Sequence, residues 1–272
     1  MAKIIGIMAV KGGVGKTSIS ASLAADLVNR LGRKVLLIDA NYSAPNLGLH
    51  MDIVEPVKTI HDVLSGKADM LHAVHNRFGV DVVPGSFIHN KGLNHFKLKS
   101  RINKVKKGYD FVIIDSSPSM SDEILSAMLA SDNLFVVTTP DYPTLSCSLK
   151  TAKLAKERGI PISGIIINKI RNPRYELDLE EIEKAVEIPV VAKIFDDPTH
   201  VEAIFSRIPA SVYNKNSKFS REIAKFSDAI AGEKTKTSFL RRLFSVQFGK
   251  EEVNRQILRE DFYKSLFEED NE

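Results

Sequence analysis

The chain has 272 residues, 43% hydrophobic and 26% charged, with a formal net charge of +4 at pH 7 and one cysteine. This composition is globular, with enough apolar material for a sizeable core, and it excludes collagen-like, disulfide-scaffold and wholly disordered chains. Cys147 alone builds no intrachain disulfide, Cys-based zinc site or iron–sulfur cluster, and no run approaches the ~20 uninterrupted apolar residues that cross a bilayer.

Met1-Ala2-Lys3 leads directly into a strand-like run with no small-residue cleavage site, so no signal peptide is expected and the cytoplasm is the expected setting. The predicted strands, in chain order, are Ile4–Met8, Val35–Ile38, Val80–Val83, Phe111–Ile114, Leu134–Val137, Ile162–Ile167 and Val190–Ile194. They read as nearly continuous apolar runs, the pattern of a parallel sheet covered on both faces. Helical patterns alternate with them at Ser20–Leu31, Ile124–Ala130, Leu145–Arg158, Leu179–Val186 and Ser217–Ile230. Strand and helix in alternation predict a doubly wound, mostly parallel α/β sheet whose ligands bind beyond the carboxyl ends of the strands. The α/β pattern stops at Ala231-Gly232, which divides the chain into 1–232 and a helical appendage, 233–272.

Directly after the first strand stands Lys11-Gly12-Gly13-Val14-Gly15-Lys16-Thr17-Ser18, where a helix begins. Glycines let backbone N–H groups turn inward around phosphate oxygens, and the helix N-terminus adds its positive dipole end. In such a loop Lys16 contacts the β- and γ-phosphates of a nucleotide such as ATP, and the Thr17 hydroxyl ligates Mg²⁺. Asp39 ends the second predicted strand and Asp115 the fourth. A carboxylate there, beside a phosphate loop, can hold the water shell of Mg²⁺; capping of the next helix is the other reading.

The loop lacks the ordinary glycine five residues before Gly15, where Val10 stands, and carries a second lysine, Lys11, before the paired glycines. With these residues it resembles the deviant-Walker class of P-loop NTPases, the family that includes MinD, ParA, the nitrogenase iron protein and the Mrp-type scaffolds. The resemblance covers about residues 3–232. It implies an ATP-dependent nucleotide-sandwich homodimer, with Lys11 reaching the partner's phosphates. It also makes Asp115-Ser116-Ser117-Pro118 the Walker B and switch segment. By the same resemblance Asn168, after the sixth predicted strand, reads the adenine ring, as does Asp197 in Ile194-Phe195-Asp196-Asp197-Pro198; an asparagine at a strand end is otherwise a turn former.

Two departures bear on mechanism. Relatives carry Asp-x-Asp after the second strand, and here the segment is Asp39-Ala40-Asn41. Asparagine can hydrogen-bond the attacking water but lacks the charge that polarises it, so slow hydrolysis is expected. Cys147 falls where MinD relatives often carry aspartate, so a contact between dimer halves is expected to differ.

In the appendage, Phe239-Leu240-Arg241-Arg242-Leu243-Phe244 puts large apolar side chains beside arginine, the composition of an interfacial amphipathic helix. It resembles the membrane-targeting helix of MinD proteins and implies reversible attachment to an anionic membrane in the ATP state. The other reading is a helix packed on its own core. A further helical pattern, Glu251–Phe267, and the acidic run Glu268-Glu269-Asp270-Asn271-Glu272 follow, and could mask that helix or engage a partner. Lys91, Lys97, Lys99, Arg101, Lys104, Lys106 and Lys107 form a cationic run with a stripe of Leu98, Ile102 and Val105. That run is either a solvated helix face or a contact for DNA phosphates. The expectation is a MinD-like ATPase that positions cellular machinery with an activator or cargo. The alternatives are a ParA-like DNA-partition ATPase and a nucleotide-stabilised binding module with little turnover.

Overall fold

The computed structural model describes residues 2–232, apart from 89–91, 119–120, 161, 172–175 and 178. The predicted membrane segment Phe239–Phe244 lies outside the described residues, as do Glu251–Phe267, the acidic run and Lys91. The chain divides into two units, 1–227 and 228–272, of which the second is described only over 228–232. No described helix is long and apolar enough to cross a membrane.

Eight strands form one sheet: β1 Lys3–Met8, β2 Val35–Ala40, β3 His75–Arg77, β4 Val80–Val83, β5 Phe111–Ser116, β6 Asn133–Thr138, β7 Ile162–Ile170 and β8 Val190–Phe195. Their spatial order is β3-β4-β2-β5-β1-β6-β7-β8, and every pairing is parallel except β3 with β4. The helices are α1 Lys16–Asn29, α2 Leu47–His50, α3 Ile60–Ser65, α4 Leu98–Val105, α5 Asp122–Ala130, α6 Tyr142–Glu157, α7 Leu179–Val186, α8 Pro198–Phe205, α9 Ala210–Tyr213 and α10 Lys218–Ala231.

All seven predicted strands are present, each extended by a few residues at most. β3 is additional: a three-residue polar strand that pairs antiparallel with β4 at the sheet edge, with no apolar run to announce it. The central strands are buried on both faces because helices cover both. On one side Leu36, Ile38, Val112 and Ile114 pack with Ile60, Val63, Leu98, Ile102, Ile124 and Met128. Val136, Ile165 and Ile167 form a second cluster with Ile182 and Val186 of α7. Each such aliphatic side chain contributes ~1.5–3 kcal/mol by leaving water. The amphipathic α10 seats Phe226 edge-on against Phe135 of β6, with ring centroids 5.0 Å apart.

β1 is the point where the order of the sheet reverses, with β5 on one side and β6 on the other. At such a crevice, beyond the carboxyl ends of parallel strands, ligands are bound. The segments that follow β1, β2, β5 and β7 carry the residues considered next.

Candidate nucleotide and metal site

The loop between β1 and α1 turns through Gly13 (φ +77°) and Gly15 (φ +98°), left-handed backbone that side chains resist. At Gly15 a Cβ would also stand 2.2 Å from Asn168 Nδ2. Two consecutive residues of β7 hold the loop from beneath. Asn168 donates its amide to the Val14 carbonyl at 2.7 Å, and Lys169 Nζ donates to the Gly13 carbonyl at 2.8 Å. Gly15 leaves α1 with no side-chain cap, and the first turn of the helix holds no acidic residue. Its opening N–H groups are thus available to an anion.

Lys16, the first residue of α1, is 6% exposed. Burial lowers its pKa, with Asp115 pulling the other way. Ser20, one turn on, places its hydroxyl 3.0 Å from the Lys16 carbonyl and 3.1 Å from Asp115 Oδ1. The Thr17 hydroxyl donates to Asn46 Oδ1 at 3.1 Å. Ser18 and Val14 are buried, and Gly12 faces Pro118 of the segment after β5, 3.9 Å from where a Cβ would begin.

Asp39 and Asp115 are register partners on adjacent strands, and both are fully buried. Asp39 accepts from the backbone N–H of Asn41 (3.0 Å) and of Leu47 (3.1 Å). Burial, followed by the charge of Asp115, pushes Asp39 up to about 8, against the pull of these N–H groups. Burial likewise raises Asp115 to about 6, opposed by Thr17, Lys16 and Ser20. Asp115 Oδ2 is buried with no hydrogen-bond partner among the described residues. Two adjacent carboxylates, one with an orphaned oxygen, are the donor set that a small hard cation neutralises. Among the described residues no three His, Cys, Asp or Glu side chains gather to hold a metal alone. The Asp39–Asp115 pair suits Mg²⁺, which is commonly held by one or two carboxylates together with phosphate oxygens and water.

A pH dependence follows. Both carboxyls are protonated in the folded chain at pH values where the unfolded chain, with pKa values near ~4, has already lost the proton. The folded state therefore binds more protons, and stability without metal should fall as pH rises from ~4 through about 6 for Asp115 and about 8 for Asp39. Thermal unfolding in the presence of a chelator across this range measures the slope. Excess Mg²⁺ with nucleotide should flatten it.

A profile described as an AAA domain matches residues 2–157, over half of the chain. An ATP-binding protein of Methanocaldococcus jannaschii is 32% identical over 84% of this chain and 88% of its own length. The chain belongs to the MinD/ParA family of P-loop ATPases. The cell division ATPase MinD of Pyrococcus furiosus superposes with a TM-score of 0.78 at 32% identity, over 85% of this chain and 99% of that one. MinD of Pyrococcus horikoshii, solved as its Mg-ADP complex, superposes with the same score at 30% identity, over 85% and 96%. The eight-stranded sheet with flanking helices is the fold of these P-loop NTPases.

The other residues that this MinD/ParA-family sequence nominates are placed as follows. Lys11 sits at the exposed face of the loop, where its Nζ donates to Thr144 Oγ1 at 2.8 Å and lies 3.7 Å from Asp141. Asp141 is the N-cap of α6, accepting from the Thr144 N–H at 2.9 Å. The Asn41 amide donates to the Ala44 carbonyl at 2.6 Å and braces the turn after β2. Asn168 lies against the loop, its amide spent on Val14. Both Asp197 oxygens are taken by backbone N–H groups, Thr199 at 3.0 Å and Phe219 at 3.2 Å, so the carboxylate joins the starts of α8 and α10. Sequence reasoning gave no role to Ser20, Asn46, Lys169 or Thr144. Only Ser20 carried a local signal, one turn from Lys16 on the same helix face.

Proposed function

We propose that this chain binds Mg·ATP at the loop 11–18 and closes as a homodimer over two nucleotides. In that state it attaches to anionic membrane through Phe239–Phe244 and positions cellular machinery with a protein activator or cargo. The observation that carries this reading is that the two loop lysines sit in opposite surroundings, one buried and one exposed. Lys16 is buried beside Asp115, whereas the side chain of Lys11 is 42% exposed on the outer face. One lysine serves the protomer's own phosphates, and the other, held by Asp141 and Thr144, is accessible to a second copy's.

Phosphate oxygens would meet the N–H groups of the loop and of α1, whose opening turn carries no competing carboxylate. Lys16 is already desolvated, so little reorganisation is needed before it meets the phosphates. Thr17, Asp39 and Asp115 would hold Mg²⁺, which when bound neutralises charge on the β- and γ-phosphates. Lys11 must leave Asp141 and Thr144 to cross the interface. An exposed ion pair of this kind is worth only ~0–1 kcal/mol, so it parks the lysine without locking it. Asn41 stands where a second carboxylate would orient the attacking water, and hydrolysis is slow for want of that charge.

Asn41→Asp is expected to raise the single-turnover rate about 10-fold or more, within the range of a general base. It also exchanges the bond to Ala44 for a carboxylate facing a carbonyl, so its melting temperature should fall. Rapid-quench measurement with excess protein reads the rate; an unchanged or lower value removes Asn41 as the cause of slow turnover.

The basic face of α4 favours a second reading. Leu98 and Ile102 are buried, while Lys97, Lys99, Lys104 and Lys107 are exposed, and no cation of Lys97–Lys107 is ion-paired among the described residues. That face suits DNA phosphates. Co-sedimentation with anionic liposomes, with ATP or ADP, of the full chain and of a chain ending at Gly232 separates the readings. ATP-dependent lipid binding lost on truncation supports the membrane reading, and salt-sensitive DNA binding that survives truncation supports the other. ATP held without turnover, lipid or DNA would mark a nucleotide-stabilised binding module.

A further inference from the structure

Beside the nucleotide crevice, beyond the ends of β2 and β4, lies an open cavity of about 460 Å³ lined by none of the residues of the phosphate loop. Glu123, in the first turn of α5 and 4% exposed, is part of its lining. One Glu123 oxygen accepts from the Tyr42 N–H at 3.1 Å and the other from the Ser43 hydroxyl. No cation is ion-paired with this carboxylate among the described residues. His61 also lines the cavity, its Nε2 2.9 Å from the Tyr42 carbonyl and its Nδ1 accepting from the Ser86 N–H at 3.1 Å.

The walls are aromatic. The Tyr42 ring stacks on that of His95, centroids 5.1 Å apart and planes 28° apart, and Phe87 stands at the mouth, 64% exposed. A buried carboxylate in a cavity that aromatic rings also line calls for a flat cation that can offer paired N–H donors to oxygen and a face to aromatic carbon. A guanidinium does both, and an ammonium does only the first. Phe87, Ile88 and Phe96, in or next to the lining, are all exposed, which suits apolar residues flanking that cation on a polypeptide.

We infer that this cavity is a docking site for an arginine side chain presented by a protein partner, with Glu123 as its counter-ion. The site is coupled to the nucleotide crevice through one short segment. Glu123 holds residues 42 and 43, directly after Asn41, and the same segment continues to Asn46, which holds Thr17, and to Leu47, which holds Asp39. An arginine paired with Glu123 competes with the Ser43 hydroxyl for the carboxylate and shifts this segment. Occupancy at one site is thereby felt at the other.

The test needs no nucleotide and so stands apart from the ATPase reading. The full chain, isotope-labelled, is titrated with acetyl-Leu-Arg-Leu-amide and followed by the backbone amide signals of Ser86 and Gly92. Saturable shifts are expected, weakened about 10-fold or more by Glu123→Gln and severalfold by Phe87→Ala, whose exposed ring cannot unfold the core. The citrulline peptide, isosteric but uncharged, should not bind, and acetyl-argininamide should bind more weakly than the tripeptide. Absent or non-saturable shifts, or binding indifferent to both substitutions or to citrulline, overturn the inference. Equal affinity for acetyl-argininamide overturns the protein-partner assignment in favour of a free small cation.

Discussion

Lys16→Met is expected to weaken Mg·ATP binding by at least ~100-fold, the scale of losing one charge-assisted contact inside a water-excluded site. Titration calorimetry with magnesium supplied reads this directly. The nucleotide-free variant should melt no earlier than the parent chain. Burial outweighs the attraction of Asp115 in setting the Lys16 pKa, so the folded chain bears a net cost for holding that ammonium in place. Removing it relieves the cost, and Asp115, already raised to about 6, moves up further and takes a proton. Loss of binding with unimpaired stability separates a ligand contact from a structural lysine. Binding at the parental level would remove the loop from the nucleotide site altogether.

Lys11→Ala is expected to leave ATP binding to the protomer nearly intact while loosening the ATP-dependent dimer by ~10³-fold or more. A symmetric interface loses two buried charge contacts at once, each worth ~2–5 kcal/mol. Sedimentation velocity with a non-hydrolysable ATP analogue distinguishes the species. Asp141→Asn should change the dimer far less, because the Lys11–Asp141 pair it removes is exposed, with side chains 42% and 45% accessible. A Lys11→Ala protein that dimerises like its parent would refute the nucleotide sandwich.

The parts of this architecture that were legible in the chain are those in which one local pattern decides the outcome. Strands buried on both faces must be apolar over most of their length, so β1, β2, β5, β6 and β7 are written openly. β4 and the edge strand β8 are marked by their valines and isoleucine, although Asp81 and Lys193 interrupt them. β3 has three polar residues and exists only because β4 offers it a partner. The start of α1 lies at Lys16, four residues before the predicted Ser20, because the left-handed Gly15 ends the loop there whereas the apolar periodicity begins only at Ile19. In the site, Lys16, Thr17, Asp39 and Asp115 follow from glycine spacing and strand ends. Their partners do not. The hold of Asn168 on Val14, of Asn46 on Thr17 and of Glu123 on Ser43 joins residues 154, 29 and 80 positions apart, which no local pattern reports. The resemblance assigns Asp197 to adenine; in the folded chain its carboxylate also accepts N–H groups from two helix starts that meet only in three dimensions, which no local pattern announces.

The brevity of β3 reaches beyond the sheet it borders. Three residues, His75 to Arg77, offer a foreign strand almost no main chain to zip onto, and Arg77 adds a charge at that rim. Under the proposed nucleotide-sandwich reading, a long strand at this border would give two copies a second, adhesive way of meeting. The brevity of β3 removes that competing contact at this edge of the sheet.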